Sequence, residues 1–201
     1  MKRAWLFMEL VFAFAAATLV MTACVLFIPK AKEHDILDIA TAIGTVGAAV
    51  AAVWIATNEG RRRKKEALDI ANLTASSMAW RVTHDAAKVG IILDLLQEAK
   101  HVDQSPERFA EYQQELADVC NWTLSDLLPL APLPQSCAVN LAQGADQVKT
   151  CSLLIKISVE GNGTTTSDGR RKLATQAHEF LAEGYEALLA GARQCKKVAG
   201  H

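Results

Sequence analysis

The chain has 201 residues, of which 51% are hydrophobic and 6% are aromatic, and its formal net charge at pH 7 is −1. This length suits one compact domain, or a membrane segment followed by a modest domain. A net charge so close to zero provides no general attraction for a polyanion, and the sequence lacks the aromatic platforms of nucleic-acid binders. We therefore expect no nucleic-acid partner.

Two apolar segments lie near the N-terminus, at residues 4–28 and 36–57, and "PKAKEHD" separates them. Each is close to the length of about 20 apolar residues with which a helix crosses the hydrocarbon core of a bilayer. They predict a two-span transmembrane hairpin in residues 1–58. A secretory signal ending near Cys24 is the alternative, and it is disfavoured because the apolar run continues past this cysteine.

Basic residues flank the two segments and predict their orientation. Lys2 and Arg3 precede the first segment, and a basic cluster follows the second. By the positive-inside rule, both termini are expected in the cytoplasm of a bacterial-type inner (plasma) membrane. The cluster, which we interpret as topology and lipid-binding residues, consists of Arg61, Arg62, Arg63, Lys64 and Lys65.

Small residues recur along the second segment. This spacing is typical of helices that approach one another closely, either within the hairpin or between copies of it. The predicted helix-packing residues are Gly44, Gly47, Ala48 and Ala51.

A few polar residues lie inside the two segments and are candidates for an intramembrane function. Glu9 is an acid within the first segment, where a charge is costly and suggests a role. The alternative is that its side chain reaches the membrane interface or pairs with Arg61. The threonines can face one another across the hairpin, or each can bond to the carbonyl one turn back. They are Thr18, Thr22, Thr41 and Thr45.

The second predicted domain, residues 59–201, has the periodicity of helices. Apolar residues from Leu68 to Leu96 recur at steps of three and four, which predicts one long helix. Because no helix breaker lies between Thr57 and Ala67, we expect this helix to continue directly from the second apolar segment. The remaining helices are predicted at about Ser105–Leu128, Ser136–Glu160 and Arg170–Val198.

Breaks between these helices come from "PLAPLP", which cannot lie in a helix interior, and from the flexible "GNGTTTSDG". Short connections between helices favour antiparallel neighbours. The expected fold class is all-α: an N-terminal two-helix transmembrane hairpin followed by a cytoplasmic antiparallel helical bundle of about four helices.

Three basic residues open the last predicted helix, where cations oppose the helix macrodipole. This unfavourable placement indicates contact with an anionic partner, and solvated side chains beside a loop are the alternative. The residues are Arg170, Arg171 and Lys172.

No motif in the chain predicts catalysis or a metal site. A phosphate-binding loop, a nucleophile elbow and an H-E-x-x-H helix are all missing from the sequence. Five scattered cysteines lack the spacing of a zinc site, so we interpret them as buried apolar side chains in a reducing compartment. We predict no enzyme activity, no cofactor, no metal and no small-molecule substrate.

Three functional hypotheses follow. The first is a membrane-anchored helical protein-interaction module, an adaptor or sensor subunit whose partners are the lipid bilayer and another protein or a second copy. In the second, the hairpin oligomerises and permeabilises the membrane when the bundle is triggered; in general layout the chain resembles the small two-span effectors of bacterial phage-defence cassettes. The third is a subunit whose role is entirely that of its partner.

Overall fold

A computed structural model describes the backbone of residue 22 and of residues 33–200, and the side chains of Thr22, Thr41 and residues 44–200. Throughout this part the regular structure is helical, and it contains no strand. The prediction of an all-α helical bundle is confirmed. The helices are α1 (Glu33–Ala99), α2 (Pro106–Ala117), α3 (Leu124–Leu127), α4 (Cys137–Glu160) and α5 (Ser167–Ala199), and a 3-10 turn (Leu128–Leu130) follows α3.

The predicted membrane spans require a correction. Among the residues that the structure describes, no helix is both long and apolar enough to cross a membrane. The second predicted span lies in α1, where much of the run is alanine, glycine and threonine and where polar Asn58 and Glu59 follow directly. Such small side chains each supply little apolar surface. The prediction of two transmembrane spans in a bacterial-type inner membrane is therefore wrong, and so is the orientation predicted for these spans.

The first predicted span, residues 4–28, lies outside the described residues apart from Thr22. The chain divides into two compact units, Met1–Arg62 and Arg63–His201. The domain division inferred from the sequence, residues 1–58 and 59–201, stays a prediction.

The second compact unit has one hydrophobic core to which all five helices contribute. α1 contributes the stripe from Ala71 to Ala99, and its Gly90 lies against α5, because an added Cβ would be 3.1 Å from Cε2 of Tyr185. Between α2 and α4, the buried Ser152 hydroxyl donates a hydrogen bond to the Gln113 carbonyl at 3.2 Å. The core thus holds the unit together by apolar packing with few buried polar links.

The predicted helix from Ser105 to about Leu128 is interrupted after Ala117. Cys120 adopts a left-handed backbone with φ 58°, and its N–H donates to Oδ2 of Asp85 at 2.9 Å. Asp85 belongs to α1 and is only 8% exposed. The buried carboxylate of Asp85 therefore accepts the hydrogen bond from the Cys120 N–H. In a continuous helix, a backbone carbonyl one turn earlier would have accepted it.

A new helix, α3, begins after this interruption because Thr123 and Asp126 form a capping box. The Thr123 N–H donates to Oδ2 of Asp126 at 2.7 Å. The sequence "TLSD" has the spacing of such a box, and the prediction of one continuous helix through this segment is wrong.

Helices α4 and α5 pack through glycines. A Cβ added to Gly144 would lie 2.6 Å from Cγ of Leu188, and one added to Gly191 would collide with Leu141. Real Cβ atoms do not come so close, so these two helices approach at a distance that only glycine allows at these positions.

Candidate functional site

The side of α1 that faces away from the core carries a second row of apolar side chains. Leu73 is 74% exposed and Trp80 is 76% exposed, and Ile70 and Ile91 are also exposed. Successive members of this row are separated by three, seven and eleven residues, which correspond to about one, two and three turns of the helix. The four side chains therefore share one face of α1. We call this face the outer stripe, and it consists of Ile70, Leu73, Ser77, Trp80, His84, Ala87 and Ile91.

Two aromatic rings of the outer stripe are stacked on each other. The ring centroids of Trp80 and His84 are 5.2 Å apart and the ring planes differ by 8°. Stacking holds the exposed indole against the helix and leaves its other face open to contact. Large, flat, oriented aromatic surfaces of this kind are the side chains most often found at the energetic centre of protein interfaces.

Arg81 borders the outer stripe and connects α1 to the segment after α2. Its Nη2 donates a hydrogen bond to the Asn121 carbonyl at 2.5 Å. Its guanidinium also lies 5.9 Å from the ring centroid of Trp122, which is close enough for a cation–π contact. These two contacts of Arg81 therefore fix the segment that contains Asn121 and Trp122 against α1, beside the outer stripe.

A groove of about 330 Å³ lies between α1 and the α3 segment. Its lining residues are Thr74, Ser77, Met78, Arg81, Ser125, Asp126 and Pro129. Four exposed apolar residues each stand next in sequence to a lining residue, namely Leu73, Trp80, Leu124 and Leu128. A partly polar groove beside exposed apolar side chains is the composition of a protein interface.

The groove is lined by one carboxylate, that of Asp126. Hydrogen bonds from the backbone N–H and the hydroxyl of Thr123 lower the pKa of Asp126, and the nearby charge of Arg81 acts in the same direction. The groove therefore presents one cation, Arg81, and one anion, Asp126.

The predicted packing and intramembrane residues are only partly described. A Cβ added to Gly44 or Gly47 would meet no described atom within 4 Å, and Ala48 and Ala51 are exposed. Their predicted role in helix packing stays a prediction. Glu9 and Thr18 lie outside the described residues.

The threonine pair that the structure does describe bonds locally. Thr45 Oγ1 donates to the Thr41 carbonyl at 2.6 Å, which is the local alternative for these side chains. Thr22 is exposed. The basic cluster at residues 61–65 lies on the exposed surface of α1, and its predicted lipid contact stays a prediction.

The three basic residues near the start of α5 have a different setting from the predicted one, because the helix begins at Ser167 and not at Arg170. Arg170 is bidentate on Asp103, with distances of 2.9 Å from Nε to Oδ1 and 2.6 Å from Nη2 to Oδ2. Its Nη1 also donates to the Thr164 carbonyl at 2.7 Å. The hydrogen bond from Arg170 lowers the pKa of Asp103.

Lys172 also finds an anion within the chain, since its Nζ lies 2.7 Å from Oδ2 of Asp168. Arg171 borders a shallow surface depression together with Lys172, Thr175 and Gln176. Two of the three cations thus serve contacts inside the molecule, and contact with an external anion stays a prediction.

The four described cysteines are all buried free thiols, and Cys24 lies outside the described residues. In the part of the chain that the structure describes, no three potential metal ligands are clustered. No family model matches the chain, and comparison with curated proteins and with solved structures likewise finds no match.

Proposed function

We propose that the chain is a helical protein-interaction module, an adaptor or sensor subunit that acts by assembly and not by catalysis. The outer stripe of α1 is the observation that supports this proposal. An ordinary surface helix has one apolar face, which it turns to the core, whereas α1 has two. Large apolar side chains exposed along one face of a helix are typical of sites of association.

The spacing of the outer stripe favours a helix as the binding partner. A repeat of seven residues with apolar side chains at its first and fourth positions packs against the same pattern on another helix. Here Leu73, Trp80 and Ala87 hold the fourth position, and Ile70 and Ile91 hold the first position at the two ends of the stripe. The polar Ser77 and His84 hold the first position between them. We take the partner to be a second copy of α1 in antiparallel orientation.

Side-chain size supports the antiparallel register. When Trp80 lies opposite Ser77 of the second copy, Ile70 lies opposite Ala87. At these two pairs a large side chain meets a small one, as in a well-packed core. In the same register Leu73 lies opposite His84, which already stacks on Trp80 of its own chain.

Charge supports the same register. It places Arg63 opposite Asp94 of the second copy, so an ion pair borders the stripe at each end. A parallel, in-register pair would instead place identical residues together, with Arg63 against Arg63 and Asp94 against Asp94. Charge complementarity therefore distinguishes the two orientations.

Sedimentation equilibrium of the full chain tests this proposal. We expect a dimer for the native chain and a monomer for Trp80→Glu, because the substitution buries an unpaired charge at the centre of the interface. Val139→Glu is the matched control, since Val139 is 62% exposed on α4 and lies outside the stripe. A native monomer, or a dimer that Trp80→Glu leaves intact, would contradict the proposal.

A further inference from the structure

Two buried thiols from different helices lie next to each other at the end of the bundle where α4 begins and α5 ends. Sγ of Cys137 is 3.7 Å from Sγ of Cys195, although 58 residues separate them in sequence. A disulfide has an S–S distance of about 2.05 Å. The two sulfur atoms are therefore in contact, and a small movement would bring them to bonding distance.

The packing of α4 on α5 brings these thiols together. Gly191 precedes Cys195 by one helical turn, and any Cβ at this position would collide with Leu141 of α4. The close approach that glycine permits also places the Gly191 carbonyl 3.7 Å from Sγ of Cys137. The glycine and the thiol pair thus belong to one tightly packed contact.

The backbone before Cys137 is unusual. Gln135 and Ser136 are consecutive non-glycine residues in the left-handed region, with φ of 60° and 53°. This conformation is unfavourable for residues with a Cβ. Hydrogen bonds from Asn140 hold it, from its N–H to the Ser136 carbonyl at 2.9 Å and from Nδ2 to the Gln135 carbonyl at 3.1 Å.

This turn makes Cys137 the first residue of α4. The unpaired N–H groups and the dipole at a helix N-terminus favour a thiolate there. The hydrogen bond from Cys195 also lowers the pKa of Cys137, whereas the same hydrogen bond raises the pKa of Cys195. By contrast, burial raises the pKa of Cys120 and of Cys151 to about 12 each.

We propose that Cys137 and Cys195 form a redox-active dithiol, which a hydroperoxide converts into a disulfide that joins the start of α4 to the end of α5. The Cys137 thiolate attacks one oxygen of hydrogen peroxide, the O–O bond breaks, and hydroxide leaves to give a sulfenic acid. The Cys195 sulfur then attacks the sulfenic sulfur and expels a second hydroxide. The two thiol protons convert these hydroxides into two waters, so that two electrons pass from the sulfurs to the peroxide.

Closing this bond restricts the unfolded chain much more than the folded one. The thiols already touch in the folded state, whereas in the unfolded state the bond closes a loop that spans the 58-residue separation. Long closed loops give the larger stabilisation. The oxidised chain should therefore be more stable than the reduced chain, and exchange with a dithiol should reverse the change.

Treating the reduced full chain with one equivalent of hydrogen peroxide tests the proposal. We expect a mass loss of about 2 Da, as two hydrogen atoms leave, and a rise in Tm of about 10 °C. Peptide mapping without reductant should find one cross-link, between the peptides that contain Cys137 and Cys195. Dithiothreitol should reverse all three changes.

Cysteine variants make the test specific. Cys137→Ser and Cys195→Ser should each abolish the cross-link and the rise in Tm, whereas Cys120→Ser and Cys151→Ser should retain both. The native chain provides the decisive result even where a variant folds poorly. Unchanged thiols at positions 137 and 195, oxidation of Cys137 to a sulfinic acid without a cross-link, or a cross-link to any other cysteine would overturn the proposal.

Discussion

Helices α1 and α5 both contribute a long apolar stripe to the core, but their opposite faces differ. On α5 the exposed positions are mostly charged or polar, for example Arg171, Glu183 and Arg193. On α1 the exposed positions include Trp80 and Leu73, which are among the most exposed large apolar residues that the structure describes. Phe180 is the one large apolar residue that α5 exposes in the part of the chain that the structure describes, whereas the outer face of α1 exposes several. Under the proposal, this second apolar surface of α1 binds a partner.

The largest effect on this comparison is expected from a substitution that disrupts the packing of α5 on α4. Gly191→Leu should destabilise the monomer by about 3 kcal/mol or more, because overpacking forces α4 and α5 apart. Urea denaturation monitored by circular dichroism would measure the change. Ala190→Leu is the matched control, since Ala190 is the exposed neighbour of Gly191 on α5. Equal stability of the two variants would show that the glycine contact is unimportant.

A smaller effect is expected at Asp85, which joins the core face of α1 to the backbone of Cys120. Asp85→Ala should cost about 1–3 kcal/mol, because the buried Cys120 N–H loses its acceptor. Asp85→Asn retains an acceptor oxygen and should cost less. Thermal unfolding would rank the two variants, and the reverse ranking would mean that the carboxylate serves another purpose.

Charge reversal at the ends of the outer stripe should weaken association without affecting the fold. Arg63→Asp and Asp94→Arg should each raise the dimer Kd by about tenfold, since each puts like charges opposite one another at both ends. The double variant restores opposite charges and should recover most of the affinity. Sedimentation equilibrium would measure all three, and a double variant weaker than either single variant would argue against the antiparallel register.

The smallest effect is expected at the ion pair between the half-buried Arg170 and the exposed Asp103. The pKa of Asp103 is lower in the folded chain than in the unfolded chain, so its contribution to stability is present above the ordinary aspartate pKa of about 3.9. That contribution is lost as pH falls through the folded pKa. Asp103→Asn should therefore flatten the loss of Tm in acid, and a variant with an unchanged acid profile would contradict this assignment.

Much of the fold could be predicted from apolar periodicity. The third and fourth predicted helices match α4 and α5 to within three residues at each end. Helices of this length have an apolar stripe that depends on local sequence alone. The break after Ala117 could not be predicted in this way, because the group that satisfies the Cys120 N–H is Asp85, a residue 35 positions earlier.

The sites were less predictable than the fold. The thiol contact depends on how α4 and α5 pack, so the sequence separation of Cys137 and Cys195 concealed it. The outer stripe is visible in the spacing of Ile70, Leu73, Trp80 and Ile91, but spacing alone does not show which apolar face of α1 meets the core. The membrane prediction failed because the alanines and glycines of residues 36–57 raise the apolar content of the segment but each supply little apolar surface.

Cysteine cross-linking at two positions of the outer stripe tests the central claim most directly. In the antiparallel register, Ser77 lies near the two-fold axis, about 5 Å along the helix from its counterpart, whereas Leu73 lies roughly 16 Å from its own. We therefore predict that Ser77→Cys forms a covalent dimer under mild oxidation and that Leu73→Cys does not, with the native chain as the control. Cross-linking of both variants would show a parallel pair, and cross-linking of neither would show that the outer stripe does not bind a second copy.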